Sequence, residues 1–175
     1  NPLVDVYISE CSASSTYNDN ANYGCVKAYD GNSNSEWATQ GEGIGAHITL
    51  TFDHPYVLHE IIFTNRGTST AKNKKIKLDF SSGNDETVDL QETTTQKSIS
   101  NNWEVSSVKI EVTDVYTHLD NGAKEIQFIG ESTGKIFNQY FFFNHNRQHI
   151  KLPHNLLQLL AKICRLVKYS KKSMF

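Results

Sequence analysis

Residues 46–53 read Ala-His-Ile-Thr-Leu-Thr-Phe-Asp, and this short alternating stretch decides the fold class. Ile48, Leu50 and Phe52 fall on one side of an extended chain, and the His and Thr residues between them fall on the other. Successive side chains of a β-strand point to opposite faces of its sheet. The stretch therefore predicts a half-buried strand of an antiparallel sheet, with one face in the core and one in solvent.

Further strands are predicted on both sides of this stretch. Residues 75–81 and 107–114 alternate in the same way, and residues 57–64 are apolar enough for a more buried strand. Shorter strands are predicted over residues 4–8, 87–90, 97–99 and 125–129, with turns at segments such as Asp53-His54-Pro55. About eight short strands, with no helical pattern among them, predict an all-β sandwich or jelly roll.

Charge divides the chain near Gly130. Residues 1–131 hold all 19 Asp and Glu residues and 9 of the 17 Lys and Arg residues, a net charge of −10. Residues 132–175 hold the other 8 basic residues and no acid, a net charge of +8. We therefore predict a domain over residues 1–131 followed by a basic tail. The acidic domain would repel phosphates, which argues against nucleic acid as a partner and favours neutral ligands and bound cations.

The basic tail contains one helical pattern, over residues 155–169. An amphipathic helix with basic residues lies on an anionic membrane or docks on a partner protein. The alternatives are an appendage without selected function, such as non-native sequence, and a linker into a further domain. The apolar residues at helical spacing are Leu156, Leu159, Leu160, Ile163, Leu166 and Val167.

The chain has three cysteines, Cys11, Cys25 and Cys164. The first two enclose a polar loop of 13 residues, and a disulfide between them would stabilise the fold by about 3 kcal/mol. The alternative is a pair of free thiols in a reducing compartment, because spacing does not show whether the two Cα atoms approach closely enough.

The turn at residues 30–35 contains candidate metal ligands. Asp30, Asn32 and Ser35 offer three side-chain oxygens within six residues, around a glycine that permits a sharp turn. A hard cation such as Ca²⁺ takes about six to eight oxygen ligands, so a distant acid must help to complete the shell. Glu125 is the candidate for that acid. The alternative is an ordinary Asx turn that holds no metal.

Several segments, taken in order, resemble discoidin-type domains, the coagulation factor V/VIII C-type family, and most closely its galactose-binding-like modules. The resemblance covers about residues 4–131 and leaves the tail out. The segments that carry it are Ala13-Ser14-Ser15, Lys27-Ala28-Tyr29-Asp30-Gly31-Asn32, Ser35-Glu36-Trp37-Ala38-Thr39-Gln40-Gly41-Glu42, Ile61-Ile62-Phe63-Thr64-Asn65-Arg66, Leu78-Asp79-Phe80-Ser81-Ser82-Gly83 and Gly122-Ala123-Lys124-Glu125-Ile126-Gln127-Phe128.

The resemblance implies an eight-stranded antiparallel jelly-roll β-sandwich in an extracellular protein. It also implies a structural calcium ion that ties the first loop to the last strand. It places Trp37 in the core beneath the turn; the alternative is a ring that stacks on a sugar. By position, the implied calcium ligands are the backbone carbonyls of Lys27 and Lys124 and the side chains of Asp30, Asn32, Ser35 and Glu125.

Arg66 ends an apolar strand and enters a polar loop, so its charge needs solvent or a partner. In sugar-binding relatives an arginine near this point hydrogen-bonds the ligand through its planar fork. The alternative is a surface ion pair with Glu36 or Glu42. The chain lacks the clear His-Arg-Asn trio of galactose-binding members and the apolar loop residues of phospholipid-binding members. The candidate ligand-binding residues are Tyr17, Tyr23, Glu36, Asn65, Arg66 and His118.

We expect a non-catalytic, secreted or cell-surface module, lectin-like in kind, that binds a glycan or glycoprotein and holds structural calcium. The sequence carries no His-Glu-x-x-His or Gly-x-Ser-x-Gly motif. The alternatives are a protein–protein adhesion domain and a peripheral membrane protein that binds through its tail. No run of about 20 apolar residues is present to span a bilayer, and we interpret the start at Asn1, without Met, as a processed or excised fragment.

Overall fold

The computed structural model describes residues 1–67, 71–100, 102–117 and 119–133. These residues form ten strands and three short 3₁₀ helices. The strands are β1 (Leu3–Asp5), β2 (Ile8–Ala13), β3 (Trp37–Ala38), β4 (His47–Thr64), β5 (Asn73–Phe80), β6 (Asp85–Asp89), β7 (Thr94–Ser98), β8 (Glu104–Val115), β9 (Gly122–Ala123) and β10 (Glu125–Ser132). The 3₁₀ helices cover Tyr17–Asp19, Ala21–Tyr23 and Cys25–Ala28.

Strand β4 organises the sheet, because its two halves pair with different neighbours. Its first half pairs with β2 and β8, and places Leu50 opposite Cys11. Its second half pairs mainly with β10 and β7, and places Phe63 opposite Ile126. Eight strands thus form one antiparallel sheet in the order β1-β10-β4-β8-β5-β6, with β2 and β7 also bound to β4. Strands β3 and β9 form a separate two-stranded sheet.

One hydrophobic core lies between the two halves of this folded sheet. Phe52 of β4 meets Phe128 of β10 edge to face, with 5.8 Å between ring centroids. The alternation that decided the fold class is confirmed, since Ile48 and Leu50 are fully buried and Phe52 is 4% exposed. The inward residues of β5, β8 and β10 join the same cluster. The predicted all-β antiparallel sandwich is therefore confirmed.

The segment Asp53-His54-Pro55 does not form the predicted turn between two strands. It lies inside the 18-residue strand β4, where the pairing with β8 shifts register between Thr51 and Tyr56. The Asp53 N–H donates to the carbonyl of Tyr7 at 3.2 Å. Proline has no N–H to donate, so it is tolerated in a strand at such an irregularity. The turn residues therefore carry β4 from one layer to the other.

Residues 8–13 form a strand that the sequence pattern did not predict. The prediction of one strand over residues 4–8 is wrong, because β1 ends at Asp5 and β2 begins at Ile8. Among the described strands β2 borders β4 alone, so its polar side chains face solvent and no apolar alternation marks it. Strand β10 also runs further than predicted, to Ser132, which pairs with Tyr56.

Cys11 and Cys25 are joined by a disulfide, with 6.0 Å between their Cα atoms. The bond connects β2 to the 3₁₀ helix Cys25–Ala28 and closes the loop that holds the other two 3₁₀ helices. In the chain-entropy view a closed loop of this length stabilises a fold by about 3 kcal/mol. The disulfide therefore fixes the start of the segment that contains Asp30.

The basic tail lies outside the described residues from position 134 onward. That part of the chain contains Cys164 and the helical pattern over residues 155–169. The predicted tail helix and the domain boundary at residue 131 remain predictions. None of the helices in the described part of the chain is long and apolar enough to cross a bilayer.

Candidate functional site

The small sheet of β3 and β9 brings two distant segments together. Trp37 pairs with Ala123, and Ala38 pairs with Gly122. Trp37 is 1% exposed and its indole N–H donates to the Ser15 carbonyl at 3.4 Å, so the expected core position is confirmed. Because β3 follows the Asp30 turn and β9 precedes β10, the pairing places that turn beside Glu125.

The Asp30 turn is held by hydrogen bonds to one carboxylate. Its Oδ1 accepts from the Asn32 N–H at 3.0 Å and from the Ser35 hydroxyl at 2.7 Å. Its Oδ2 accepts from the Lys27 ammonium at 3.2 Å. Gly31 adopts the left-handed backbone that the sharp turn requires, with φ of 70°. The turn therefore places three of the predicted calcium ligands, Asp30, Asn32 and Ser35, in one small cluster.

The carboxylates of Asp30 and Glu125 lie close enough to influence each other. Burial is the main reason that the pKa of Glu125 is raised, and the charge of Asp30 raises it further, against a hydrogen bond from the Gly31 N–H. Burial is also the largest influence on Asp30, but hydrogen bonds from Ser35, the Asn32 N–H and Lys27 outweigh it and lower the pKa of Asp30. Asp30 and Glu125, which are 95 positions apart in the sequence, are thus close together in the fold.

The donor set fits a hard divalent cation. It combines two carboxylates with the amide oxygen of Asn32 and the hydroxyl of Ser35, and calcium prefers such oxygen ligands. Within the described ranges no three His, Cys, Asp or Glu side chains converge, so no zinc-type cluster is formed there. The carbonyls of Lys27 and Lys124 complete the predicted set. Lys27 lies in the 3₁₀ helix Cys25–Ala28, just before Asp30, and Lys124 lies between β9 and β10, directly before Glu125.

A groove of about 350 Å³ adjoins the Asp30 turn. Tyr23 forms part of its wall and meets Tyr17 edge to face, with 5.4 Å between ring centroids. Two predicted calcium ligands, Lys27 and Ser35, also line it. Two further lining residues, Asn22 and Asn34, were not predicted, because the surrounding sequence is rich in Asn and no pattern singles them out. The lining residues are Asn22, Tyr23, Lys27, Asn34, Ser35 and Glu36.

Arg66 forms an ion pair with Glu36, as the alternative reading of the sequence expected, but the pair is buried rather than at the surface. Its Nη2 lies 2.6 Å from Glu36 Oε1, and its side chain is 9% exposed. Its Nη1 donates to the Asp120 carbonyl, and its Nε is buried without a partner in the described chain. Glu42 instead accepts a hydrogen bond from Ser14. Arg66 therefore joins the loop of Asp120 to Glu36, which lines the groove.

Asn65, a predicted ligand-binding residue, is buried and hydrogen-bonded within the fold. It is 3% exposed, and its amide nitrogen donates to the carbonyls of Asn73 and Gln91 at 2.9 and 2.7 Å. Its amide oxygen accepts from the Asn73 N–H at 2.9 Å. Both the amide nitrogen and the amide oxygen of Asn65 are thus hydrogen-bonded within the fold. His118, another predicted ligand-binding residue, lies outside the described residues.

One domain family matches most of the chain. The sequence pattern of DUF7402, described as a domain of unknown function, matches residues 6–129. The chain belongs to the DUF7402 family. A search of curated proteins found no match to it.

Solved structures show that the DUF7402 chain shares the discoidin-like fold that the sequence motifs resembled. An F5/8 type C domain from Bacteroides fragilis is 18% identical with a TM-score of 0.59, covering 70% of this chain and 91% of that one. A family 32 carbohydrate-binding module from Clostridium perfringens NanJ, in complex with galactose, is 15% identical with a TM-score of 0.58, covering 72% and 99%. A Paenibacillus chitosan-binding module in complex with chitotriose is 15% identical with a TM-score of 0.60, covering 70% and 97%.

Proposed function

We propose that the DUF7402 domain is a non-catalytic carbohydrate-binding module that takes a glycan, free or carried by a protein, in the groove beside the Asp30 turn. The groove carries the proposal, because it combines one aromatic wall with amide, hydroxyl and carboxylate groups. Ligand sites are typically concave, with an apolar surface and a few placed polar groups. The sugar-bound neighbours of the same fold support this reading.

The chemistry of the groove suits a sugar. A pyranose has an apolar face, which Tyr23 can cover, and a rim of hydroxyls, which need both donors and acceptors. Asn22 and Asn34 each offer an amide donor and an acceptor, and Glu36 offers acceptors alone. The edge-on contact with Tyr17 fixes the ring of Tyr23 before a ligand arrives, which lowers the entropy cost of binding.

An oxidising, extracellular setting is part of the proposal. The Cys11–Cys25 disulfide supports it, because such bonds persist in secreted and cell-surface proteins and are rare in reducing compartments.

A structural calcium ion at the Asp30 cluster is the second part of the proposal. Asp30, Asn32, Ser35 and Glu125 would supply side-chain oxygens, and the carbonyls of Lys27 and Lys124 would complete the shell. The ion would neutralise the repulsion between the carboxylates of Asp30 and Glu125. It would tie the first loop to β10 and so stiffen one end of the groove.

Replacing Tyr23 with alanine is expected to weaken glycan binding about tenfold or more, because it removes the aromatic wall that anchors the ligand. Galactose, GalNAc-β-1,3-galactose and chitotriose are the first probes, since neighbours of this fold bind them. Isothermal titration calorimetry of residues 1–133 and of the full chain measures the affinity.

The matched control for this prediction is Tyr7→Ala, which removes a tyrosine that is 50% exposed and lies outside the lining residues. It should leave the affinity unchanged. Equal affinities of the two variants, or no binding to any sugar on a broad glycan array, would contradict the proposed groove.

Calcium is expected to raise the melting temperature by about 10 °C at 100 times its Kd, which corresponds to about 2.7 kcal/mol. Asp30→Asn and Glu125→Gln keep the side-chain shapes but remove one carboxylate charge each, so both should abolish the shift. Thermal melting followed by circular dichroism, with calcium and with EDTA, measures it.

Asp79→Asn is the control, because Asp79 lies on the outer face of β5 in an ion pair with Lys77. This variant should show the full calcium response. A wild-type melting temperature that is the same in calcium and in EDTA would rule the calcium site out.

A further inference from the structure

The side chain of Lys27 connects the Asp30 cluster to the groove. Its ammonium lies 3.2 Å from Asp30 Oδ2, and the residue also lines the groove. Its backbone is fixed, since Lys27 lies in the 3₁₀ helix Cys25–Ala28 and its N–H donates to the Gly24 carbonyl at 2.9 Å. The flexible part of the residue is therefore its side chain, which can move while the backbone stays in place.

The position of this ammonium has a consequence for cation binding. Without a metal, Asp30 and Glu125 are two neighbouring carboxylates, and the Lys27 ammonium is the positive charge in contact with Asp30. A divalent cation on Asp30 would repel a positive charge a few ångströms away. The ammonium and the cation thus compete for the same carboxylate.

A Lys27 ammonium displaced from Asp30 can move into the groove, because Lys27 already lines it. Glu36 lines the groove together with Lys27, and its side chain is 20% exposed, with one oxygen engaged by Arg66. An ammonium released from Asp30 would add a positive charge and three hydrogen-bond donors to the sugar-binding surface.

We propose that Lys27 neutralises Asp30 in the calcium-free protein and is released into the groove when calcium binds, so that calcium changes the charge of the glycan-binding surface. This inference rests on the calcium site of the proposed function. Lys27 is then the residue that couples the two sites. By linkage, a glycan that favours the released ammonium strengthens calcium binding by the same factor by which calcium strengthens glycan binding.

The first test is calcium affinity, measured by isothermal titration calorimetry with Ca²⁺ alone. Lys27→Met keeps an unbranched stem and removes the competing charge, so it should bind calcium about tenfold more tightly than the wild type. Lys97→Met removes one exposed positive charge from β7 and controls for the change in net charge. It should leave the affinity within about twofold of the wild type, because solvent and salt screen an exposed charge that is not in contact with the cation.

The second test follows the ammonium directly by reductive methylation of the wild-type protein and mass spectrometry. Release from Asp30 should make Lys27 react several-fold faster in calcium than in EDTA. Lys77, held between Asp79 and Asp85 at 2.7 Å from each on β5 and β6, should react at the same rate in both. Neither readout depends on a glycan.

The outcomes separate the inference from the proposal on which it rests. Equal calcium affinities of the wild type and Lys27→Met, with an unchanged methylation rate, would overturn the role of Lys27 while leaving the calcium site standing. No calcium binding to either protein would overturn both. Tighter binding by Lys27→Met together with faster methylation of Lys27 would support the release.

Discussion

Replacing Gly122 with alanine is expected to destabilise the domain by about 3 kcal/mol. A Cβ at this position would lie 2.1 Å from the Trp37 carbonyl oxygen and 2.8 Å from its carbonyl carbon. These are backbone atoms of β3, so no side-chain rotation relieves the clash. The pairing of β3 with β9 must open instead, which displaces Trp37 from the core.

The same substitution should also reduce the calcium response. The pairing of β3 with β9 holds the Asp30 turn beside Glu125, and an opened pairing separates the two carboxylates. The calcium-induced rise in melting temperature is therefore expected to fall together with the stability, although Gly122 contributes no ligand.

Gly67→Ala is the matched control, because a Cβ there meets no atom within 4 Å. Its effect on the free energy of unfolding should be about 0.5 kcal/mol or less. Urea denaturation followed by tryptophan fluorescence measures both variants. Similar midpoints for Gly122→Ala and Gly67→Ala would show that β3 and β9 do not pack as closely as the structure places them.

The alternating strands could be predicted from sequence because their pattern records which face is buried. Ile76 and Leu78 of β5 are fully buried, as their spacing predicted, and Val108 and Ile110 of β8 are at most 2% exposed. A buried face rejects polar side chains at every second position, so the sequence itself carries the signal. The same reasoning fails for β2, which lies at an edge and has little apolar surface to mark it.

The meeting of the Asp30 turn with Glu125 could not be derived from spacing. It depends on β3 and β9, which have two residues each and therefore no period to detect. The resemblance to discoidin-type domains supplied that connection, and the structure places the two segments together. The bend in β4 was missed for a related reason, since Asp53-His54-Pro55 has the composition of a turn but continues the strand in this context.

The roles of the polar residues at the end of β4 could not be predicted from sequence. Asn65 and Arg66 follow an apolar strand, a position that suits both a ligand contact and a structural hydrogen bond. Sequence does not reveal which polar groups surround them, and in the structure they contact Asn73, Gln91, Glu36 and Asp120. A buried polar group requires such partners. The internal contacts of Asn65 and Arg66 therefore stabilise the loops whether or not a ligand is bound.

Replacing Glu36 with glutamine is expected to destabilise the domain by about 3 kcal/mol, because it leaves the buried guanidinium of Arg66 without a counter-charge. The side chains of Arg66 and Glu36 are 9% and 20% exposed, so solvent screens the pair little. Glutamine keeps the shape of the side chain and one acceptor oxygen, so the loss comes from the charge. Urea denaturation at low and high salt should give the same loss, since a buried pair is weakly screened.

A double-mutant cycle with Arg66→Met separates the ion pair from packing. In the Arg66→Met background, Glu36→Gln no longer leaves a buried guanidinium without a counter-charge. The double variant should therefore be about 2 kcal/mol more stable than the sum of the two single losses predicts. Asp89→Asn breaks the exposed pair of Lys75 and Asp89, whose side chains are 41% and 85% exposed, and should have no measurable effect. Strict additivity of Glu36→Gln and Arg66→Met would show that the two side chains stabilise the loops independently and that their 2.6 Å contact carries no coupling.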